Sequence, residues 1–314
     1  HVRSRRQRQM CIRDRIATCF FLSIISLLLG VEQLSWFILF TSRLPRLIAI
    51  LLAGIGLAIT GVVLQNITQN KFVEPATSGG LDAAKLGILL SITLTPNLSI
   101  FPKMVFALAC VFVSSIILVF IINQLSFRSS ALVPVIGLIF GGFISAIAEF
   151  YAYQQQIMQN MQSWLLGDLA SIVAGHYELI YIIVPIIALT YFYAYRLTAI
   201  GMGRDLSKSI GVNYSITVII GLLLVSLSVA TIVITVGAIP FVGLVIPNLI
   251  ARRYGDHLSK TLPITAIAGA TLLLVCDVLG RVLIFPYEIP IALTAGSIGG
   301  LIFLSMILFK RGIK

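Results

Sequence analysis

The sequence predicts an all-α, polytopic membrane protein, and three observations lead there. The 314 residues are 59% hydrophobic and only 11% charged, against roughly 25% charged in a soluble domain. Mean hydropathy is +1.05, so a fold in water would have too little polar surface to cover its apolar side chains, and the solvent must be lipid. The apolar runs are long and continuous, without the alternation over about ten residues that marks barrel strands. Unpaired backbone groups are costly in hydrocarbon, so the spans are helices.

Ten segments reach or approach the roughly 20 apolar residues a span needs: 16–31, 47–66, 77–95, 102–122, 132–152, 177–195, 214–235, 238–251, 262–284 and 289–309. The third is weak because it holds Asp82 and Lys85. The eighth is short and holds Pro240 and Pro247, as expected of a half-span or a kinked helix that faces protein. The first fifteen residues, "HVRSRRQRQMCIRDR", are basic and lack apolar periodicity. They read either as a basic flank or as sequence foreign to the fold. They are set apart here from a single transmembrane domain over 16–314.

Loop charges orient the chain. With the N-terminus inside, the inside loops carry Lys71, Arg128, Arg196, Arg204, Lys208, Arg252, Arg253, Lys260, Lys310, Arg311 and Lys314. Only Arg43, Arg46, Lys103 and Arg281 fall outside. The bias predicts both termini in the cytoplasm and accounts for the net charge of +11 without nucleic acid. Two loops are more than turns. Residues 154–176 hold Trp164, Leu165 and Leu166, suited to an interfacial helix. Residues 198–213, "TAIGMGRDLSKSIGVN", pair an apolar edge of Leu206, Ile210 and Val212 with polar Arg204, Asp205 and Lys208. Either a short helix lying against another protein or a solvated loop would look like this.

Several chemistries are absent from the sequence. It has no G-x-x-x-x-G-K-[ST] loop, so this chain is not expected to hydrolyse ATP, and no HExxH or GxSxG motif. Cys11, Cys19, Cys110 and Cys276 are scattered, as are His1, His176 and His257; they indicate neither a disulfide framework nor a metal site. The charges within spans are Asp82, Lys85, Glu149, Asp277 and Arg281. Such residues are candidate pathway groups, yet Asp82/Lys85 at i,i+3 and Asp277/Arg281 at i,i+4 could simply neutralise one another. Arg43, Arg46 and Arg281 stand at the outer side, against the positive-inside bias. They either snorkel to lipid phosphates or meet a partner that carries carboxylates. Gly54, Gly56 and Gly61, with "FGGF" (140–143) and "GSIGG" (296–300), point to close helix packing.

Four stretches resemble one family. "RLPRLIAILLAGIGLAITGVVLQNITQNKFVEP" (43–75), "GRDLSKSIGV" (203–212), "AIPFVGLVIPNLIARRYGDHLSKTLP" (238–263) and "GATLLLVCDVLGRVLIFPYEIPIALTAGSIGGLIFLSMIL" (269–308) are similar, in order, to the FecCD-type permease subunits of binding-protein-dependent ABC importers for iron–siderophore complexes, haem and cobalamin. The chain departs from the family pattern at Asn248, where His is usual, at Lys71, where Pro is usual, and over "TSGGLDAAKLG" (77–87). The last departure resembles permeases for catecholate siderophores.

The resemblance implies a type II ABC importer permease of ten helices in a bacterial inner membrane. It implies a second permease subunit, identical or paralogous, two ATPase subunits inside, and a periplasmic or lipid-anchored binding protein outside. It implies no cofactor and no metal site. Gly203, Arg204, Asp205, Leu206, Lys208 and Gly211 would couple to the ATPase. Asn70, Phe72, Ser130 and Ala131 would close a cytoplasmic gate. Arg43, Arg46 and Arg281 would dock the binding protein. Haem or cobalamin import within the family, or an ion-coupled secondary transporter with broken helices, are the competing readings. An intramembrane enzyme is disfavoured by the missing catalytic motifs.

Overall fold

The computed structural model describes residues 2–29, 35–94, 100–124, 132–159, 161, 167, 169, 172–175 and 177–308. The described elements are helical throughout. They are α1 (Val2–Leu28), α2 (Leu44–Ile67), α3 (Gly80–Leu94), α4 (Ile100–Gln124), α5 (Leu132–Gln154), α6 (Ile183–Phe192), α7 (Ala194–Gly201), α8 (Arg204–Ser209), α9 (Tyr214–Thr235), α10 (Val242–Tyr254), α11 (Leu258–Val282) and α12 (Ile291–Leu308). A short turn at Trp36–Ile38 and a π turn at Leu39–Arg43 lead into α2.

α2 is the axis of the molecule. It is buried on almost every face and packs against α9, α10 and α11, as expected of a helix that is hydrophobic all round. Two glycine contacts explain how closely it is held. A Cβ on Gly54 would come within 2.6 Å of the Gly269 carbonyl oxygen on α11, and one on Gly61 would collide with the backbone of Gly243 on α10. The hydroxyls within the apolar helices bond back to their own chain: Thr60 donates to the Gly56 carbonyl, Ser226 to Leu222 and Thr265 to Thr261. That satisfies groups which would otherwise be costly in lipid. α5 and α12 are peripheral, with few of their residues buried.

Six helices among the described residues are long and apolar enough to cross a membrane, and a seventh span, Glu178–Phe192 with Ala194–Gly201, is bent by 64°. The other expected spans depart for physical reasons. α10 has thirteen residues, about 20 Å at 1.5 Å per residue, and Gly255 ends it at φ 82°; it is a half-span. α3 has fifteen residues because the turn at 75–79 replaces the first helical turn expected there. α1 continues through the basic segment, which had been set apart from the fold. The sixth span, expected over 177–195, runs on to Gly201 and is broken at Tyr193. The interfacial helix expected at Trp164, Leu165 and Leu166 lies outside the described residues, as does the loop holding Arg128, Ser130 and Ala131.

Candidate functional site

Polar side chains gather at three places. The first is the end expected to face outward, where α1, α2 and α11 meet the segment 283–290. Asp277 is fully buried between two guanidiniums. Arg46 donates to its Oδ1 through Nη2 at 2.7 Å and Nε at 3.1 Å. Arg281 pairs with Oδ2 and donates to the Ser26 carbonyl at 2.9 Å. Arg46 also holds Glu288 through Nη1, at 2.8 and 3.1 Å to its two carboxylate oxygens. Arg43, half-buried, donates to the Leu29 carbonyl at 3.0 Å.

Arg46 and Arg281, expected as docking charges on the rim, therefore have side chains only 9% and 5% exposed and are ion-paired within the chain. Asp277 pairs with Arg281 as its i,i+4 spacing suggests. It is also claimed by Arg46, 231 positions away, which spacing cannot reveal. Glu288 was missed because it follows a turn rather than sitting in a span.

The second place joins α3 to α5. The Lys85 ammonium is buried and donates to Ser145 Oγ at 2.6 Å and to Glu149 Oε1 at 3.2 Å. Asp82, its expected i,i+3 partner, is the more distant at 3.9 Å. Ser145 also donates to Glu149 at 2.9 Å. Asp82 lies over Gly141, where a Cβ would come within 2.9 Å of its Oδ2.

The third place is the end expected to face the cytoplasm. The loop after α2 turns at Gln69, whose φ is 50°. Asn70 is buried, and its Oδ1 accepts from the Phe72 amide at 2.8 Å. Asn248 of α10 donates to the Lys71 carbonyl at 2.6 Å, and Lys71 pairs with Asp256. Phe72 meets Phe303 of α12 edge-on at 6.0 Å. Together with Arg252, Met306 and Ile307 these residues line an open cleft of about 690 Å³.

The same loop then runs along α10 to Glu74, buried beside that helix's start. Its carboxylate accepts from the Phe241 amide at 3.1 Å. Phe241 caps α10 without a side-chain bond of its own, at φ 68°. A carboxylate is the complement an orphan helix N-terminus requires. Sequence reasoning missed Glu74; the "VEP" before a turn gave a hint only in hindsight, because the helix it caps begins 168 positions later.

α8 lies beside this loop. It starts from Gly203 at φ 107° and stops at Gly211 at φ 79°. Its end is a Schellman turn: the Val212 amide bonds the Ser207 carbonyl at 2.9 Å and the Gly211 amide bonds Lys208 at 3.0 Å. Ser207 and Val212 are buried as anchors, so Val212 is not part of the exposed apolar edge expected with Leu206 and Ile210. Arg204, Asp205, Leu206, Lys208 and Ile210 face out. Gly201 packs on Asn66, and Gly203 faces the Gln69 side chain, so the exposed element sits against the end of α2 and the start of the loop that leads to Asn70 and Phe72. Among the described residues no three His, Cys, Asp or Glu side chains group to hold a metal.

A buried bundle around one central helix, a half-span capped from a distant loop, and an exposed short helix at one end define an all-helical protein built for a membrane. The chain belongs to the FecCD transport family, which matches residues 17–309. It is 51% identical over 304 residues to the ferric-anguibactin transport system permease protein FatD of Vibrio anguillarum, covering 93% of this chain and 97% of that one. It is 41% identical over 313 residues to the petrobactin import system permease protein YclN of Bacillus subtilis, covering 96% and 99%. Among solved structures, an inward-facing metal-chelate type ABC transporter superposes with a TM-score of 0.82 at 25% identity, covering 96% of this chain and 99% of that one.

Proposed function

We propose that this chain is the membrane-spanning subunit of an ATP-driven importer of ferric siderophores, of the catecholate type. The observation that carries the reading is end-to-end similarity to two permeases named for siderophore systems. In this reading two permease subunits enclose the path in a bacterial inner membrane. Two ATPase subunits bind inside, and a binding protein docks outside. The stretch around Asp82 and Lys85 is the feature that favours catecholate and related chelates over cobalamin.

The geometry supplies a route for coupling. α8 presents Arg204, Leu206 and Lys208 outward while Gly201 and Gly203 lie against Asn66 and Gln69. A push on α8 by an ATPase subunit reaches Asn70 and Phe72 through those contacts, and with Ser130 and Ala131 these close the inner end of the path. The iron travels inside its chelator, so the permease needs no metal ligands. At the outer end Arg43 leads the docking of the binding protein, with Arg46 and Arg281 behind it.

The test is uptake by the complete complex in proteoliposomes, with a panel of ferric catecholate, hydroxamate and citrate chelates, haem and cobalamin. Transport of ferric catecholates above the rest supports the reading. Transport of haem or cobalamin alone overturns the substrate.

A further inference from the structure

The cleft at the inner end has two unlike walls and a size that suits a small molecule. It opens between the loop after α2, the end of α10 and the end of α12, and its volume of about 690 Å³ falls within the roughly 300–1,000 Å³ of ligand sites. One wall is apolar and holds Phe72, Phe303, Met306 and Ile307. Phe303 meets Phe72 at 6.0 Å and Phe241 at 6.4 Å, so the rings form one aromatic floor. The other wall is polar and fixed in place. Asn248 donates to the Lys71 carbonyl at 2.6 Å and to the Leu244 carbonyl at 2.8 Å, and Asp256 holds the Lys71 ammonium.

Arg252 is the remaining charge. It lines the cleft, is exposed, and makes no ion pair among the described residues. A cation is expected at the C-terminal end of α10 and on the inner side of the membrane. Arg253 already meets both expectations, and it turns to the Tyr254 ring, 6.0 Å from the centroid. Neither expectation accounts for a second cation in the cleft. Lys71 and Arg252 against Asp256 leave the cleft with a positive charge in excess. The amides of Gln69, Asn70 and Asn248 also line it, where an acyl chain would need an apolar slot. A cationic, amide-lined cleft with an aromatic floor suits an anion that presents flat rings.

We infer that this cleft is the last station of the transport path, a weak site on the cytoplasmic side that takes an anionic ferric chelate with aromatic donor rings. The inference rests on the importer reading and adds a site to it. Iron(III) fully wrapped by catecholates is an anion, because the charge of the ligands exceeds that of the metal; fully wrapped by hydroxamates it is neutral. Arg252 offers a planar guanidinium to the catecholate oxygens, and Phe303 offers a ring on which a catechol stacks offset. Asp256 tempers the site by occupying Lys71. An exposed cation is screened by salt, so the cleft holds the chelate briefly and lets it go, as a path requires.

The test uses the complete complex in nanodiscs, with the chain's own cysteines replaced by serine or alanine. Met306→Cys, or Ile307→Cys on the same wall, reports on the cleft through its rate of reaction with a charged methanethiosulfonate. The rate is measured with ferric tris-catecholate, with a neutral ferric tris-hydroxamate, and with no chelate. The catecholate should slow the reaction several-fold, less so at high salt, and the hydroxamate should not. Arg252→Ala should remove most of that protection, Arg252→Lys should keep part of it, and Asp256→Asn, which frees Lys71, should strengthen it. Equal protection by both chelates, or protection indifferent to Arg252, would overturn the station. A thiol masked in anionic lipid but not in zwitterionic lipid, whatever chelate is added, would assign the cleft to a lipid headgroup and overturn it as well. No protection by the catecholate, while the unmodified complex imports ferric catecholates, would overturn the station and leave the importer standing. Failure of the unmodified complex to import any ferric chelate would instead refute the importer reading.

Discussion

At the scale of single residues, the outer end is governed by Asp277. It is fully buried and answers two buried guanidiniums. Removing one partner of a buried ion pair leaves the other uncompensated and costs about 3–5 kcal/mol. Asp277→Asn should therefore lower the thermal stability of the purified complex markedly, and Arg46→Glu should do the same by setting a carboxylate against Asp277. An Arg46 variant is thus a poor probe of docking. Arg43 is the better one, since it is half-buried and stands in the turn before α2 rather than in the buried ion-pair cluster. Arg43→Glu should weaken binding-protein docking about tenfold and reduce its salt dependence, while costing less stability than Arg46→Glu.

Glu288 gives an opposite expectation. It occupies Arg46 Nη1 from a half-exposed position, 39% exposed in its side chain, where a partner's carboxylate could sit instead. Glu288→Gln should tighten docking, measured by surface binding of the binding protein at several salt concentrations. Unchanged or weakened docking would mean that Arg46 serves the fold alone. The i,i+3 and i,i+4 spacings made Asp82, Lys85, Asp277 and Arg281 legible as charge pairs. The partners that matter most, Arg46 for Asp277 and Glu149 for Lys85, come from other helices, and no spacing encodes them.

At the scale of elements, α8 and α10 carry the transport argument. α8 has only six residues, too few to be stable as an isolated helix, so its shape depends on Gly203, Gly211 and the buried Ser207 and Val212. Replacing Arg204 with Ala and Leu206 with Asp together leaves those anchors intact. The pair should uncouple ATP hydrolysis from uptake or prevent ATPase assembly, read by pull-down of the ATPase and by the ratio of phosphate released to siderophore moved. Unchanged assembly and an unchanged ratio would remove α8 from the coupling role.

The polar, glycine-bounded character of 203–211 was visible in the sequence because turns and exposed faces are local properties. Pro240 and Pro247 likewise announced a broken segment. The depth at which α10 begins was not visible, because Glu74 supplies its cap from the far side of the chain. The bend of 64° at Tyr193 has no Pro or Gly to announce it.

At the scale of the whole molecule, hydropathy alone separated most spans, because lipid imposes one requirement on every spanning segment: that backbone groups be satisfied internally. The weakest segments, α3 and α10, are the short ones: α3 follows the loop of Asn70, Phe72 and Glu74 in the chain, and α10 is held by it. What hydropathy cannot give is the faces. α5 and α12 bury few of their residues, and hydropathy does not say which of those faces meets lipid and which meets another chain. In the importer reading a second permease subunit covers one of them, and cysteine pairs along α5 of two copies should then cross-link.

The central claim is that this fold moves an intact chelate under the control of ATP. It is tested most directly by dual-label uptake in proteoliposomes that contain the permease, its ATPase subunits and the binding protein, with radioactive iron and a labelled siderophore followed together. The account predicts that both labels enter at equal stoichiometry, only with ATP inside the ATPase-accessible compartment, and not in response to a proton or sodium gradient. Entry of iron without its siderophore, or gradient-driven entry without ATP, would contradict it.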